Sequence, residues 1–289
     1  VVAIVWAVVL LYGGYLGMWV HWAARPARGA PCCITPADLG WGYEEVTLTT
    51  ADGVSLFGWY IPSQNGAAVI LLHGYGANRV QMVERAGLLA AHGYGALLYD
   101  QRASGESEGE TRSFGWADVD DVPAALEFLV GREEVDPERV GVLGFSLGGQ
   151  IALRAAAELD GLRAVVAEEP GFSTPDDLPW VKTPEERWVA LTYRLGFKGL
   201  EWWTGVRNPS GVVESLPRIA PRPVFFIAAG PSEEPGSRTV RYFHDQASEP
   251  KAWWHVPEAG HGEVPRVRGE AYEERIVSFF DEALLAEGD

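Results

Sequence analysis

The sequence predicts an α/β architecture, a mostly parallel sheet of about eight strands with helices on both faces. Three observations carry this expectation. Short apolar runs recur along the chain, stretches of helical length separate them, and the central runs are apolar without interruption. A strand covered on both faces has no solvent side, so it need not alternate polar with apolar residues.

Taken in order, Val46–Thr49 and Val54–Tyr60 flank Ala51-Asp52-Gly53, a hairpin turn signal. Continuous apolar strands follow at Ala68–Leu72, Tyr94–Tyr99, Val140–Phe145, Ala164–Ala167, Val224–Ala228 and Ala252–Val256. Helices are expected over Arg79–His92, Trp116–Val130, Gly149–Leu159, Ser237–Gln246 and Ala271–Leu285. Right-handed crossovers then fix how such a chain winds. The rhythm breaks from Gly171 to Arg222, where prolines and the tryptophans Trp180, Trp188, Trp202 and Trp203 replace any clear strand. This segment, about 171–222, reads as a helical cap inserted over the C-terminal edge of the sheet.

Hydrophobic residues make up 47% and charged residues 22% of the 289, the composition of a globular chain with a large core. A net charge of −17 argues against nucleic acid, whose phosphates require a basic face. The two cysteines, Cys32 and Cys33, are adjacent. Neighbouring cysteines rarely bridge each other, and two sulfurs without histidine partners do not make a zinc site. Neither a metal nor an organic cofactor is expected.

The N-terminus differs from the rest. No charged residue occurs from Val1 to Ala24, and Arg25 is the first. About 20 apolar residues span a bilayer as a helix. Tyr15, Trp19 and Trp22 gather toward one end, where amphipathic rings favour headgroups. A cleaved signal peptide fits less well, since no basic region precedes the apolar run and the run is longer than the usual signal core. The expected organisation is therefore a transmembrane anchor over 1–24, a Pro/Ala/Gly-rich linker over 25–42 and a domain over 43–289. Arg25 and Arg28 after the span lean the domain toward the cytoplasmic side.

The pattern Gly-x-Ser-x-Gly occurs twice, around Ser107 and around Ser146. A nucleophile held on a sharp turn needs a strand before it, a helix after it and small neighbours. Arg139–Leu143 and Gly149–Leu159 supply strand and helix for Ser146, and Gly144, Gly148 and Gly149 permit the turn. The Ser107 copy runs into Glu110-Thr111-Arg112 and reads as a surface loop. An oxyanion hole needs two N–H groups aimed at the developing charge. Leu147, directly after Ser146, offers one, and Tyr75 in His73-Gly74-Tyr75-Gly76 offers the other. His73 reads as a structural residue holding that loop. His261, in a Gly-rich loop between the last strand and the terminal helix, is the expected general base. The acid behind it should follow Val224–Ala228, and Glu233 is preferred to Glu234; Glu168 and Glu169, ending another strand, are the fallback.

These residues in this order resemble the α/β-hydrolase superfamily. Within it the chain is similar to membrane-anchored bacterial serine hydrolases related to dienelactone hydrolase and prolyl-oligopeptidase-like enzymes. The resemblance covers about Tyr43 to Leu285 and implies the α/β-hydrolase fold with a cap. It also implies an acid three residues after a Gly closing the penultimate strand. Counting from Gly230 reaches Glu233, where such relatives generally carry Asp. A second departure is Ala103 in Asp100-Gln101-Arg102-Ala103-Ser104-Gly105-Glu106-Ser107, where relatives commonly have Gly.

The expected function is hydrolysis of a carboxylic ester or related acyl bond by Ser146, His261 and Glu233, with Tyr75 and Leu147 as oxyanion donors. The expected partners are a small apolar acyl substrate and, through the N-terminal helix, a membrane, but no nucleic acid. A peptidase or an acyltransferase would use the same triad. The rival of another class is a non-catalytic binding protein that keeps the fold.

Overall fold

A computed structural model describes residues 2–25, 28–178 and 181–286. Trp180 of the expected cap and residues 26 and 27 of the expected linker fall outside the described residues. Eight strands form one sheet: β1 (Glu44–Thr49), β2 (Ser55–Ile61), β3 (Ala68–Leu72), β4 (Gly95–Tyr99), β5 (Val140–Phe145), β6 (Ala164–Glu168), β7 (Val224–Ala229) and β8 (Lys251–Val256). Their spatial order is β1-β2-β4-β3-β5-β6-β7-β8. β1 pairs antiparallel with β2, and β2 antiparallel with β4. Every other pairing is parallel. The helices are α1 (Val2–Ala24), α2 (Val83–Ala91), α3 (Val122–Val130), α4 (Leu147–Ala156), α5 (Pro184–Thr204), α6 (Val212–Ser215), α7 (Pro235–Gln246), α8 (Val264–Val267) and α9 (Gly269–Phe280).

The uninterrupted apolar runs lie where both faces of the sheet are covered. β3, β4, β5 and β6 are buried at every residue. Because side chains alternate across a strand, Ile70 and Leu72 of β3 face one layer, built from α3, α4 and α7. Val69 and Leu71 face the other, built from α2 and α9. β1, by contrast, is an exposed edge with one fully buried residue, Leu48.

Two expectations are corrected at the N-terminal end. Among the described residues no helix is long and apolar enough to cross a membrane, so the single-pass anchor over 1–24 is not supported. The orientation argued from Arg25 and Arg28 loses its footing with it. Instead α1 lies along α5, and the two helices run in the same direction. Tyr12 meets Trp188 and Thr192, Trp19 meets Tyr193 and Phe197, and His21 meets Trp203. Gly196 and Gly199 permit this approach, since a Cβ at 196 would lie 2.6 Å from the Trp19 ring and one at 199 would lie 2.8 Å from Val20. The second correction concerns the cysteines. Cys32 and Cys33 are joined to each other, with Cys33 in the left-handed region at φ 79°.

Phe226 of β7 is fully buried in the layer of α3, α4 and α7. Truncating it removes a ring from a region with no solvent to refill the space. Phe226→Ala is expected to lower unfolding free energy by about 3–5 kcal/mol, read as a fall in the urea midpoint with an unchanged slope.

Candidate active site

Ser146 stands between the end of β5 and the start of α4. Its backbone is at φ 53° and ψ −113°, a conformation that L side chains rarely adopt. The turn is held from several directions. Ser146 N–H donates to the Glu168 carbonyl at 2.8 Å, while Gly149 and Gly171 N–H groups donate to the Ser146 carbonyl, each at 3.0 Å. Side chains at 144 and 148 would make it impossible. A Cβ at either position would lie 2.1 Å from a carbonyl oxygen, that of Gly148 or Leu72 respectively.

His261 follows β8, in the loop before α8. Its Nε2 lies 3.0 Å from Ser146 Oγ, and its Nδ1 lies 2.6 Å from Glu169 Oε2. The other oxygen, Glu169 Oε1, accepts from Gly262 N–H at 2.9 Å. The Glu169 side chain is 5% exposed while that of His261 is 61% exposed, so the acid is hidden and the imidazole is open to the site. The hydrogen bond to Glu169 raises the His261 pKa above its ordinary 6.5, with burial opposing and the charges of Glu169 and Glu168 assisting. A hydroxyl, an imidazole and a carboxylate are thus chained in the order needed to withdraw a proton and stabilise the resulting imidazolium.

The expected acid, Glu233, is not part of this chain. It sits exposed on the turn between β7 and α7, and Glu234 beside it is the residue at the helix start. Glu169 occupies the place behind His261 because β6 is the immediate neighbour of β5. Phe145 is in register with Glu168, so the next residue emerges beside the serine. Its positive φ of 48° turns Glu169 away from the course of the strand. The signal for this position was the pair Glu168-Glu169 closing an apolar strand before Pro170-Gly171.

Glu168 does something different. It is fully buried and pairs with Arg85, with 2.8 Å from Nε to Oε2 and 2.5 Å from Nη2 to Oε1, while Tyr272 donates its hydroxyl to Oε2 at 2.8 Å. The Arg85 guanidinium lies 5.4 Å from the Phe145 ring centre, and that ring is 4.9 Å from the His261 ring. Sequence inspection missed this support because Arg85 and Tyr272 lie far from the serine along the chain.

The loop after β3 comes next to the serine because β3 pairs with β5, Leu72 opposite Gly144. Leu147 opens α4, where an N–H has no partner one turn back. Tyr75 is anchored by its hydroxyl, which donates to the Trp22 and Ala23 carbonyls at 3.2 and 3.0 Å. His73 is buried; its Nε2 accepts from Gln101 N–H at 3.1 Å, which leaves Nδ1–H to donate to the Gly74 carbonyl at 2.9 Å. Burial pushes its pKa down to about 3, so it is neutral. Ser107 proves to be buried, a correction to the surface-loop expectation. Its Oγ donates to the Asp100 carbonyl at 2.5 Å and accepts from Phe57 N–H at 2.9 Å.

A cavity of about 290 Å³ opens beside Ser146 and His261. Pro170, Phe172 and Leu178 line one side, and Ala229, Pro235 and Val240 the other. The walls are mainly apolar, although Glu169 and Glu234 also reach it.

Comparison with known proteins agrees with this fold. The model of the Alpha/beta hydrolase family matches residues 69–275. An uncharacterized protein of Mycobacterium tuberculosis is 29% identical over 244 residues, covering 83% of this chain and 80% of its own. An esterase of Pyrococcus furiosus superposes with a TM-score of 0.73 at 27% identity, over 91% of this chain and 98% of its own. A dienelactone hydrolase of Anabaena variabilis has a TM-score of 0.62 over 84% of this chain and 99% of its own; at 19% identity it speaks for the fold alone.

The buried pair behind the site can be tested directly. Glu168→Gln keeps the shape but leaves the Arg85 charge buried without its counter-ion, and is expected to cost about 3–5 kcal/mol in urea unfolding. The double variant Arg85→Met/Glu168→Gln should recover part of that loss.

Proposed function

Since the chain belongs to the alpha/beta hydrolase family, we propose that it is a serine hydrolase cleaving a carboxylic ester through the triad Ser146, His261 and Glu169. The observation that carries the reading is the continuous chain from Ser146 Oγ to His261 Nε2 at 3.0 Å and from His261 Nδ1 to Glu169 at 2.6 Å. Ser146 attacks the carbonyl carbon as His261 takes its proton, and the N–H groups of Leu147 and Tyr75 receive the oxyanion. His261 then returns the proton to the leaving alcohol. Water, deprotonated by the same imidazole, releases the acid from the acyl-enzyme. The apolar cavity beside the serine suits an aliphatic or aromatic acyl group of modest size. The esterase named among the structural relatives supports an ester over an amide.

Fluorophosphonate labelling and turnover of p-nitrophenyl esters test this reading. Wild type should label, Ser146→Ala should not, and Ser107→Ala, where folded, should label still. Turnover should fall by about 10⁴-fold or more in Ser146→Ala. Glu169→Gln should lose about 10²–10⁴-fold, whereas Glu233→Gln should retain wild-type rates. No labelling of folded wild type would refute the proposal.

The pH profile supplies an independent check. The base works as neutral imidazole, and its pKa is raised, so kcat/KM should rise with pH through a midpoint above 6.5. Glu169→Gln removes the main cause of the rise, and the midpoint should move down. The imidazolium–carboxylate contribution to stability has the opposite course. It is complete below about 6.5 and is lost as pH climbs through the raised value.

A further inference from the structure

We propose that Glu234 makes the cavity beside Ser146 select esters whose acyl group carries a quaternary ammonium, a substrate class that rests on the ester-hydrolase reading of that cavity. Glu234 lines the cavity together with Ser146 and His261. The triad does not use it, since His261 is engaged by Ser146 at one nitrogen and by Glu169 at the other. Glu234 directly precedes α7, yet its side chain does not cap the helix. Among the described residues no hydrogen bond or ion pair holds its carboxylate. The side chain folds back against Gly230, where a Cβ would lie 2.7 Å from Glu234 Oε2. Glycine at 230 thus leaves the space that this carboxylate occupies. The two arginines of α7 have acidic partners elsewhere, Arg238 with Glu186 at 3.8 Å and Arg241 with Asp245 at 3.1 Å.

The charge of the cavity has a definite sign. Among the described residues that line it there is no lysine and no arginine. Two carboxylates reach it, and Glu169 is already engaged by His261 and by Gly262 N–H. Helix α7 begins at the same wall and contributes roughly half a positive charge there, so the full charge of Glu234 decides the sign. The net charge of −17 adds a longer-range attraction for cations. The other walls near Glu234 are apolar, with Phe172, Leu178 and Val240 among them. A quaternary ammonium suits this mixture. Its methyl groups need no hydrogen-bond partner, so it can meet a carboxylate on one side and apolar walls on the others, and an aromatic ring such as Phe172 attracts it further. An acyl chain ending in a carboxylate would meet only repulsion.

The test compares the p-nitrophenyl ester of γ-(trimethylammonio)butyric acid with its carbon isostere, in which a tert-butyl group replaces trimethylammonium. The ratio of kcat/KM for the cationic ester over the neutral one should be about three- to five-fold higher in wild type than in Glu234→Gln, the size of a partly exposed ion pair. That gap should narrow as salt rises from about 0.02 to 0.5 M. Equal ratios in the two proteins would overturn the proposal. So would a loss of turnover shared equally by both esters, which marks a structural or triad role for Glu234. A second readout needs no turnover. Ser146→Ala, titrated by calorimetry with the methyl ester of γ-(trimethylammonio)butyric acid, should bind it about three- to five-fold more tightly than Ser146→Ala/Glu234→Gln does. Equal affinities would overturn the proposal as well. If wild type cleaves neither ester, the hydrolase reading fails, and this titration still decides whether Glu234 recognises the cation.

Discussion

The distance between residue 148 and the Leu72 carbonyl controls the rest of the molecule. A Cβ at 148 would sit 2.1 Å from that oxygen, so α4 can start against β3 only because glycine stands there. With the helix seated that closely, the chain must reverse within a residue or two of β5. Ser146 absorbs the reversal at φ 53°. The strained residue is held by backbone bonds from Gly149 and Gly171 and by its own N–H on Glu168. Strain of about 1–3 kcal/mol at such a position persists only where surrounding structure over-determines it. Here the fully buried central strands β3, β5 and β6 supply that structure.

Two adjacent glutamates at the end of β6 then divide the work. Glu168 points into the layer of α2 and α9, where Arg85 and Tyr272 satisfy its charge. Glu169 turns through a left-handed backbone to His261. A buried pair of this kind gives little net stability over apolar residues of the same volume, but it is costly to break. Its consequence for the site is positional. Arg85 lies under the Phe145 ring, and that ring lies beside the His261 imidazole. The imidazole is thus located by a carboxylate at one nitrogen and by a supported ring at its side.

Much of this was legible in the sequence because it follows from local chemistry. Continuous apolar runs gave the buried strands, and the strand–glycine–helix context separated Ser146 from Ser107. A histidine in a Gly-rich loop after the last strand gave His261. The carboxylate that meets His261 was not legible. Position along the chain favoured Glu233, whereas contact with His261 depends on position across the sheet, and β6 rather than β7 adjoins the strand of the serine. Ser107 was misread as exposed because charged neighbours suggest solvent, yet its hydroxyl ties Asp100 to Phe57 inside the fold. The N-terminal helix was misread because hydropathy records an apolar face without recording its partner. Nothing local announces that Trp19 will lie over Gly196.

That partnership reaches the site. The last carbonyls of a helix lack intrahelical donors, and those of α1 are satisfied by residues of the loops beside Ser146 and β4. Tyr75 hydroxyl donates to Trp22 and Ala23, and Arg112 N–H donates to Ala24 at 2.8 Å. Phe114, Phe172, Tyr193 and Phe197 form a continuous aromatic set between this junction and the cavity wall. Phe172 belongs to both, lining the cavity while packing on α5. A displacement of α1 relative to α5 would therefore be felt at two places near Ser146. One is the loop that carries Tyr75, and the other is the apolar wall of the cavity beside Ser146. The helix pair and the cavity thus share one continuous run of aromatic contacts, with Phe172 common to both.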